Sequence, residues 1–303
     1  MENPVTEAVV VIGNFDGVHT GHQKVLAEAT RDTDHPLVVV TFWPHPVTVL
    51  RPEKAPKLLS SLRGRIELLK QAGAHEVRVI RFTDEVAAMS PEEFVDRFLL
   101  PLNPIRVVVG ENFRFGHRAS GDVTTLAKLG EGRFEVRPLP LSMIDQEISC
   151  STAIRSLLAE GDVATAAQHL GRPFRFSGVV VVGDQRGREM GFPTANLSVS
   201  REMIVPADGV YAGWVTNLDE PGWDPMPAAI SVGTNPTFDG VDHRVESYVL
   251  DRTDLELYGS EIAVDFVERL RGQVRFEGID TLIAQMGADV DATRQRLGAQ
   301  ARQ

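Results

Sequence analysis

Ala8-Val9-Val10-Val11-Ile12 runs without a break into Gly13-Asn14-Phe15-Asp16-Gly17-Val18-His19-Thr20-Gly21-His22, and these residues decide how the first half of the chain is read. A short apolar run rich in β-branched residues is too brief for a helix and suits a strand buried on both faces. Gly13, Gly17 and Gly21 permit tight turns and a close approach of backbone to a ligand. Residues His22–Thr30 then read as a helix. His19 and His22, three apart at its start, therefore share a face. The helix N-terminus beneath them supplies oriented N–H groups that favour an anion. Two imidazoles there suit a triphosphate that gains charge as pyrophosphate departs, acting by electrostatics and positioning rather than by covalent attack. Two blander readings stay open at this point. The histidines could hold a metal, although no third His or Cys with ligand spacing stands nearby, or they could be incidental helix surface.

Outward from this segment, the pattern repeats. Leu37–Phe42, Val77–Phe82, Ile105–Val109 and Phe134–Leu139 read as further strands, and Leu62–Ala72, Pro91–Leu100 and Val123–Leu129 as helices between them. Ser90-Pro91-Glu92-Glu93 is a strong helix start, with a capping serine, proline at the first position and glutamate at the third. Strand–helix alternation predicts a parallel sheet covered on both faces, with ligands at the carboxyl ends of its strands. Thr152–Leu170 reads as two short helices broken at Gly161-Asp162. Beyond it the grammar changes. Phe176–Val182, Gly209–Thr216, Ala228–Val232, Arg244–Leu250 and Glu261–Phe266 are strand-like, with Gly, Pro and Asp turns and no helical intervals. That predicts a small antiparallel barrel or sandwich. A final helix carries Ile279, Leu282, Ile283, Met286 and Val290 on one stripe. The expected domains are 1–170 and 171–303.

A length of 303 residues fits two domains. No apolar stretch approaches membrane-spanning length, the N-terminus lacks a signal peptide's basic start and apolar core, and Cys150 is the only cysteine. The expectation is a cytoplasmic protein with no membrane partner. A formal net charge of −11 argues against a general nucleic-acid surface. Residues 171–303 contain no lysine. If that part binds phosphates, it must use arginine, backbone N–H groups, helix N-termini or a metal ion.

A second chemical element is Cys150-Ser151-Thr152-Ala153-Ile154-Arg155. Ser151 or Thr152 can cap the following helix, whose N-terminus is again an anion site. Arg155, one turn on, can reach the same phosphates. Together, H-x-G-H and S-T-x-I-R resemble the nucleotidylyltransferase superfamily. The fuller form of residues 13–22, together with Gly110-Glu111-Asn112-Phe113-Arg114-Phe115-Gly116, looks like the adenylyltransferase half of bacterial bifunctional riboflavin kinase/FAD synthetases. Cys150 stands where that family usually has serine. The resemblance implies a Rossmann-like α/β domain with His19, His22 and Arg155 as catalytic residues. Gly13, Phe15, Gly21, Ser151 and Thr152 would contact nucleotide, and Asn112 would position substrate.

In the second half, Gly183 to Asn196 contains Gly187 and Gly191-Phe192-Pro193-Thr194-Ala195-Asn196. It lacks the G-K-[ST] ending of a Walker A loop. G-F-P-T-A-N is similar to the signature of riboflavin kinases, whose fold is a small Greek-key β-barrel. Asp208-Gly209-Val210-Tyr211-Ala212, Gly233-Thr234-Asn235-Pro236-Thr237-Phe238 and Val245-Glu246-Ser247-Tyr248-Val249-Leu250-Asp251 extend the likeness. It implies that Thr194 and Asn196 hold Mg²⁺ and the ATP phosphates, with Gly187, Gly191 and Pro193 also at the nucleotide. Glu246 would be the catalytic base for the riboflavin 5′-hydroxyl. Tyr248 replaces a frequent histidine, and Gln273 stands where glutamate is common.

The implied function is phosphorylation of riboflavin to FMN by ATP, then transfer of AMP from ATP to FMN, giving FAD and pyrophosphate. The alternatives are a nucleotidylyltransferase for another phosphate acceptor with a silent barrel, and a flavin- or nucleotide-binding protein without catalysis. Oligomeric state is not legible.

Overall fold

The computed structural model describes residues 7–140, 151–183, 191–237 and 240–300. Contacts divide the chain into two compact units, Met1–Ser151 and Thr152–Gln303. In the first, the apolar runs become five strands: β1 (Ala8–Ile12), β2 (Leu37–Trp43), β3 (Glu76–Arg81), β4 (Pro104–Gly110) and β5 (Glu135–Leu139). All pair in parallel, in the order β3-β2-β1-β4-β5. Central β1 is buried on both faces, so alternate residues feed different cores. Val10 and Ile12 join Val38, Val40 and Val107 on one side, while Val9 and Val11 meet Leu26, Leu37 and Leu69 on the other. Each such side chain contributes about 1.5–3 kcal/mol by leaving water.

The connecting helices are α1 (Thr20–Thr30), α2 (Pro46–Leu50), α3 (Leu62–Gln71), α4 (Asp84–Ala88), α5 (Pro91–Phe94) and α6 (Val123–Gly130). The capping box predicted at Ser90 is present: its hydroxyl accepts from Glu93 N–H while the Glu93 carboxylate accepts from Ser90 N–H. The single helix expected over Pro91–Leu100 is instead one α-turn followed by a π-helical segment (Val95–Leu99) and a 3₁₀ turn (Leu100–Leu102). Pro101 has no backbone N–H to continue the ladder, and Asn103 ends the helical path in a left-handed conformation with φ of 47°. The chain first fills the space on one side of β1 with β2 and β3, then crosses to place β4 on the other. The carboxyl ends of β1 and β4 thus form the topological switch point where such sheets bind ligands.

The second unit opens with the two expected helices, α7 (Ser151–Glu160) and α8 (Val163–Leu170). Gly161 takes a left-handed φ of 82° between them, and the Asp162 carboxylate caps α8 through Thr165 N–H. Six antiparallel strands then close into a barrel in the order β10-β7-β6-β11-β8-β9. They are β6 (Phe174–Val181), β7 (Ala195–Leu197), β8 (Gly209–Asn217), β9 (Met226–Thr237), β10 (Gly240–Val249) and β11 (Glu261–Arg271). The three-residue strand β7 begins at the end of the G-F-P-T-A-N segment and escaped the sequence reading.

The final helix, α9 (Ile279–Gln300), departs from the expected apolar stripe. Ile279 is 67% exposed and Ile283 is also exposed, whereas Asp289, Thr293 and Leu297 are buried. The reason is polar. Arg271 on β11 forms a two-pronged ion pair with Asp289, and Gln285 donates a third hydrogen bond to the same carboxylate. A satisfied carboxylate can occupy the buried face that the hydrophobic pattern assigned to isoleucine. Among the described residues, no helix is long and apolar enough to cross a membrane.

Candidate active sites

The segment after β1 is a strained loop held by buried charges. Phe15 and Val18 both take left-handed backbone conformations, with φ of 51° and 42°. For a β-branched residue such as Val18 this geometry is unfavourable and must be over-determined by its surroundings. Gly13 makes part of the loop possible, since a Cβ there would lie 2.9 Å from the Phe15 ring. Asp16 supplies the anchor. Its carboxylate accepts from Leu59 N–H, Ser60 N–H, the Ser60 hydroxyl and Arg65. Asp16 is 3% exposed and Arg65 is fully buried. Arg65 also donates to the Phe42 carbonyl and lies over the Trp43 ring. Removing one member of such a pair strands a charge in the interior and costs about 3–5 kcal/mol. Sequence spacing gave no hint of this anchor, because Asp16 and Arg65 are far apart in the chain.

His19 is the N-cap of α1, and its Nδ1 accepts the His22 backbone N–H at 3.3 Å. That bond requires a lone pair on Nδ1, so the neutral ring carries its proton on Nε2 as a donor. The two imidazoles stack at 3.6 Å with only 20° between their planes, and Phe15 packs edge-on against His22. Gly21 is buried in the first turn of α1. The expected common face of His19 and His22 is therefore observed. Burial, then the charges of His19 and Arg65, hold the His22 pKa well below its ordinary value of 6.5.

This has a sign that can be tested. A histidine depressed in the native state binds fewer protons there than when unfolded. Its contribution is whole above about pH 6.5 and is lost as pH falls below that value. Stability should decline by up to about 1.4 kcal/mol per pH unit below the unfolded pKa. Urea unfolding of wild type and His22→Gln near neutrality and one to two units lower would check this. The variant should lose less on acidification, and equal losses would detach the effect from His22.

Ser151 is the first residue of α7 rather than a residue preceding it, and its hydroxyl donates to the Asp16 carbonyl. The serine thus joins the anchored loop instead of capping through its oxygen. Thr152 is exposed and Arg155 half-buried; both belong to the second unit. Asn112 is exposed on the loop after β4, whose Phe113 and Phe115 rings stack. His45, which caps α2 by accepting Val47 N–H and has its Nε2 3.4 Å from the Asn14 amide nitrogen, was not singled out in the sequence.

In the barrel, Gly191 has a left-handed φ of 86° and leads through Phe192 and Pro193 to Thr194. The Thr194 hydroxyl lies 3.5 Å from a Glu246 carboxylate oxygen. Asn196 and Glu246 are register partners on adjacent strands β7 and β10, so they project from the same face. Gly183 makes room for Asn196, because a Cβ there would meet its amide at 2.4 Å. The hydroxyl, amide and carboxylate oxygens are hard donors of the kind that Mg²⁺ prefers, so this donor set fits the ion. Among the described residues, no group of three or more His, Cys, Asp or Glu is arranged to hold a metal. Beside Thr194 and Asn196 opens a cavity of about 350 Å³, floored by Val180, Val249 and Leu257. Tyr248 packs edge-on against Phe192, and the Gln273 amide donates to the Val232 carbonyl and the Ser231 hydroxyl. A carboxylate at 273 could not donate either bond. Gly187 and Cys150 lie outside the described residues.

Known proteins match the chain in two parts. Residues 2–153 match the FAD synthetase family model and residues 170–297 the riboflavin kinase model. The chain is 36% identical to the bifunctional riboflavin kinase/FMN adenylyltransferase of Escherichia coli strain K12, over 97% of this chain and 94% of that one. It is 37% identical to the protein of the same description from Listeria monocytogenes, over 94% and 91% of the two chains. A crystal structure from Streptococcus pneumoniae, described as a macrolide-efflux protein, superposes with a TM-score of 0.82 at 32% identity, covering 97% of this chain and 95% of that chain. Both family models and near full-length relatives converge, and the chain belongs to the bifunctional riboflavin kinase/FMN adenylyltransferase family.

Proposed function

We propose that this chain makes FAD from riboflavin in two ATP-dependent steps, with kinase chemistry in residues 171–303 and adenylyl transfer in residues 1–170. The observation that carries the reading is the presence of two independent sites. One is the stacked His19–His22 pair at a helix N-terminus; the other is Thr194 against Glu246 beside Asn196.

In the first step the riboflavin 5′-hydroxyl attacks the γ-phosphorus of ATP and its proton passes to Glu246, while ADP leaves. Thr194 and Asn196 would hold Mg²⁺, which when bound neutralises phosphate charge. This answers the lack of lysine after residue 170. Gly191 and Pro193 would contact the nucleotide beside them, with Gly187 assigned the same role by its place in the sequence motif.

In the second step an FMN phosphate oxygen attacks the α-phosphorus of ATP, the bond to the bridging oxygen breaks, and pyrophosphate departs. His19 through Nε2–H, His22 and Arg155 stabilise the charge that develops on the leaving group. Gly13, Phe15, Gly21, Ser151 and Thr152 shape the phosphate cradle, and Asn112 positions substrate from the loop after β4. The helices α7 and α8 count with the second unit by contact, but the first of them carries Ser151, Thr152 and Arg155. The functional boundary is therefore set at 170/171.

Incubation of the purified protein with riboflavin, ATP and Mg²⁺, followed by chromatography of the flavins over time, tests the reading. FMN followed by FAD is expected. FAD from supplied FMN alone would leave an adenylyltransferase with a silent barrel, and no product from either flavin would defeat the proposal.

A further inference from the structure

The helix α7 carries Ser151, Thr152 and Arg155 near its start, yet its other end is fastened by a residue of the barrel. Ile154 and Leu158 are fully buried and give α7 its inward face. Its last residue, Glu160, presents a carbonyl that no later turn of the helix can satisfy. Arg269 on β11 donates to that carbonyl at 3.3 Å and, through its other terminal nitrogen, to the Asp208 carbonyl at 2.6 Å. Two glycines leave the slot in which it lies. A Cβ at Gly161 would stand 3.0 Å from the guanidinium carbon, and one at Gly209 2.9 Å from Arg269 Nε.

The segment gripped together with α7 is itself fixed to the barrel. The Asp208 carboxylate accepts from the Thr234 hydroxyl of β9 at 2.7 Å, and the Ala207 carbonyl accepts from the Tyr211 hydroxyl of β8. Ala207 N–H in turn donates to the Leu158 carbonyl of α7. Arg269 is exposed, a setting in which charged contacts add little to stability. Its planar fork nevertheless spans two carbonyls at once, and such a fork fixes geometry. A helix of 10 residues is a rod roughly 15 Å long, so a shift at its last turn is carried to its first. A misplacement of about 1 Å can cost about 100-fold in rate. Orientation of α7, more than stability of the fold, is what this contact supplies.

We propose that Arg269, a residue of the kinase barrel, is a positioning residue for adenylyl transfer, holding the helix that presents Thr152 and Arg155 to the phosphates. The inference rests on the reading of Arg155 as a residue of that reaction. It makes the barrel a working part of the second step as well as the seat of the first.

The test measures FAD formation from supplied FMN and FMN formation from riboflavin, both with ATP and Mg²⁺, on the same full-length preparations. Arg269→Met should lower kcat for FAD formation about 10- to 100-fold, while kcat and KM of riboflavin phosphorylation stay within about twofold of wild type. Arg269→Lys should fall between, because a single ammonium keeps the charge but cannot span two carbonyls as the fork does. A double-mutant cycle with Arg155→Ala then separates positioning from mere support of the fold. If Arg269 acts through Arg155, Arg269→Met should cost less than about twofold once Arg155 is gone. Intact phosphorylation shows that the barrel has folded. Should Arg269→Met not fold, Arg269→Lys takes its place in the cycle. Undiminished FAD formation by the Arg269 variants would overturn the proposal. So would an equal loss in both activities, or the same loss with and without Arg155. Failure of the Arg155 reading would show separately, as full FAD formation by Arg155→Ala alone, and would take the proposal with it.

Discussion

Glu246→Gln is expected to lower riboflavin phosphorylation by about 10²–10⁴-fold, the range a positioned general base contributes. Glutamine nearly matches the shape of glutamate, and its amide oxygen can still face the Thr194 hydroxyl 3.5 Å away. What it cannot do is take the proton of the attacking 5′-hydroxyl. The defect should therefore appear in kcat far more than in KM for either substrate. Because Glu246 lies in the barrel and the histidines in the other unit, FAD formation from supplied FMN should continue at close to the wild-type rate. Rates of ADP release with riboflavin and of FAD formation with FMN, measured on the same preparation, separate the steps. Undiminished phosphorylation by the variant would remove Glu246 from the mechanism.

The complementary experiment replaces both His19 and His22 by alanine. One preorganised donor to a developing oxyanion is worth about 10²–10³ in rate, so loss of both should reduce FAD formation at least about 10³-fold while FMN accumulates. His19 has a second duty that must be kept apart from chemistry. As N-cap of α1 it accepts the His22 N–H, and losing a cap costs about 0.5–2 kcal/mol. His19→Asn resolves this, since an asparagine oxygen can cap the helix but presents no imidazole. If His19→Asn folds like wild type and still loses most FAD synthesis, the ring acts on the substrate. Unchanged FAD output from the double variant would take both histidines out of the reaction.

Much of this arrangement was legible because its residues sit close together in sequence and chemistry leaves little choice. The run Ala8–Ile12 had to be a buried strand, and the glycines and two histidines after it had to make a turn into a helix whose start the histidines share. The reading went astray where a distant partner decides. Ile279 and Ile283 looked like core until Arg271 drew Asp289 inward. The Asp16–Arg65 anchor joins positions that neither periodicity nor a motif connects. β7 was missed because three residues cannot display an alternation; its place is fixed by pairing with β6 and β10.

The closed barrel also bears on how the chain behaves when crowded. A ring of six hydrogen-bonded strands leaves, among the described residues, no strand with one whole edge unpaired to which a stray β-segment could add. The five-stranded sheet has two such margins, β3 and β5. Both are studded with charge: Glu76, Arg78 and Arg81 on one, Glu135 and Arg137 on the other. Pro138 further removes a donor from the β5 rim. Resistance to strand-mediated clumping is thus secured by closure in one half and by charged, proline-interrupted borders in the other. Substitutions that neutralise those borders are the surface changes most apt to turn a folded, active chain into an insoluble one.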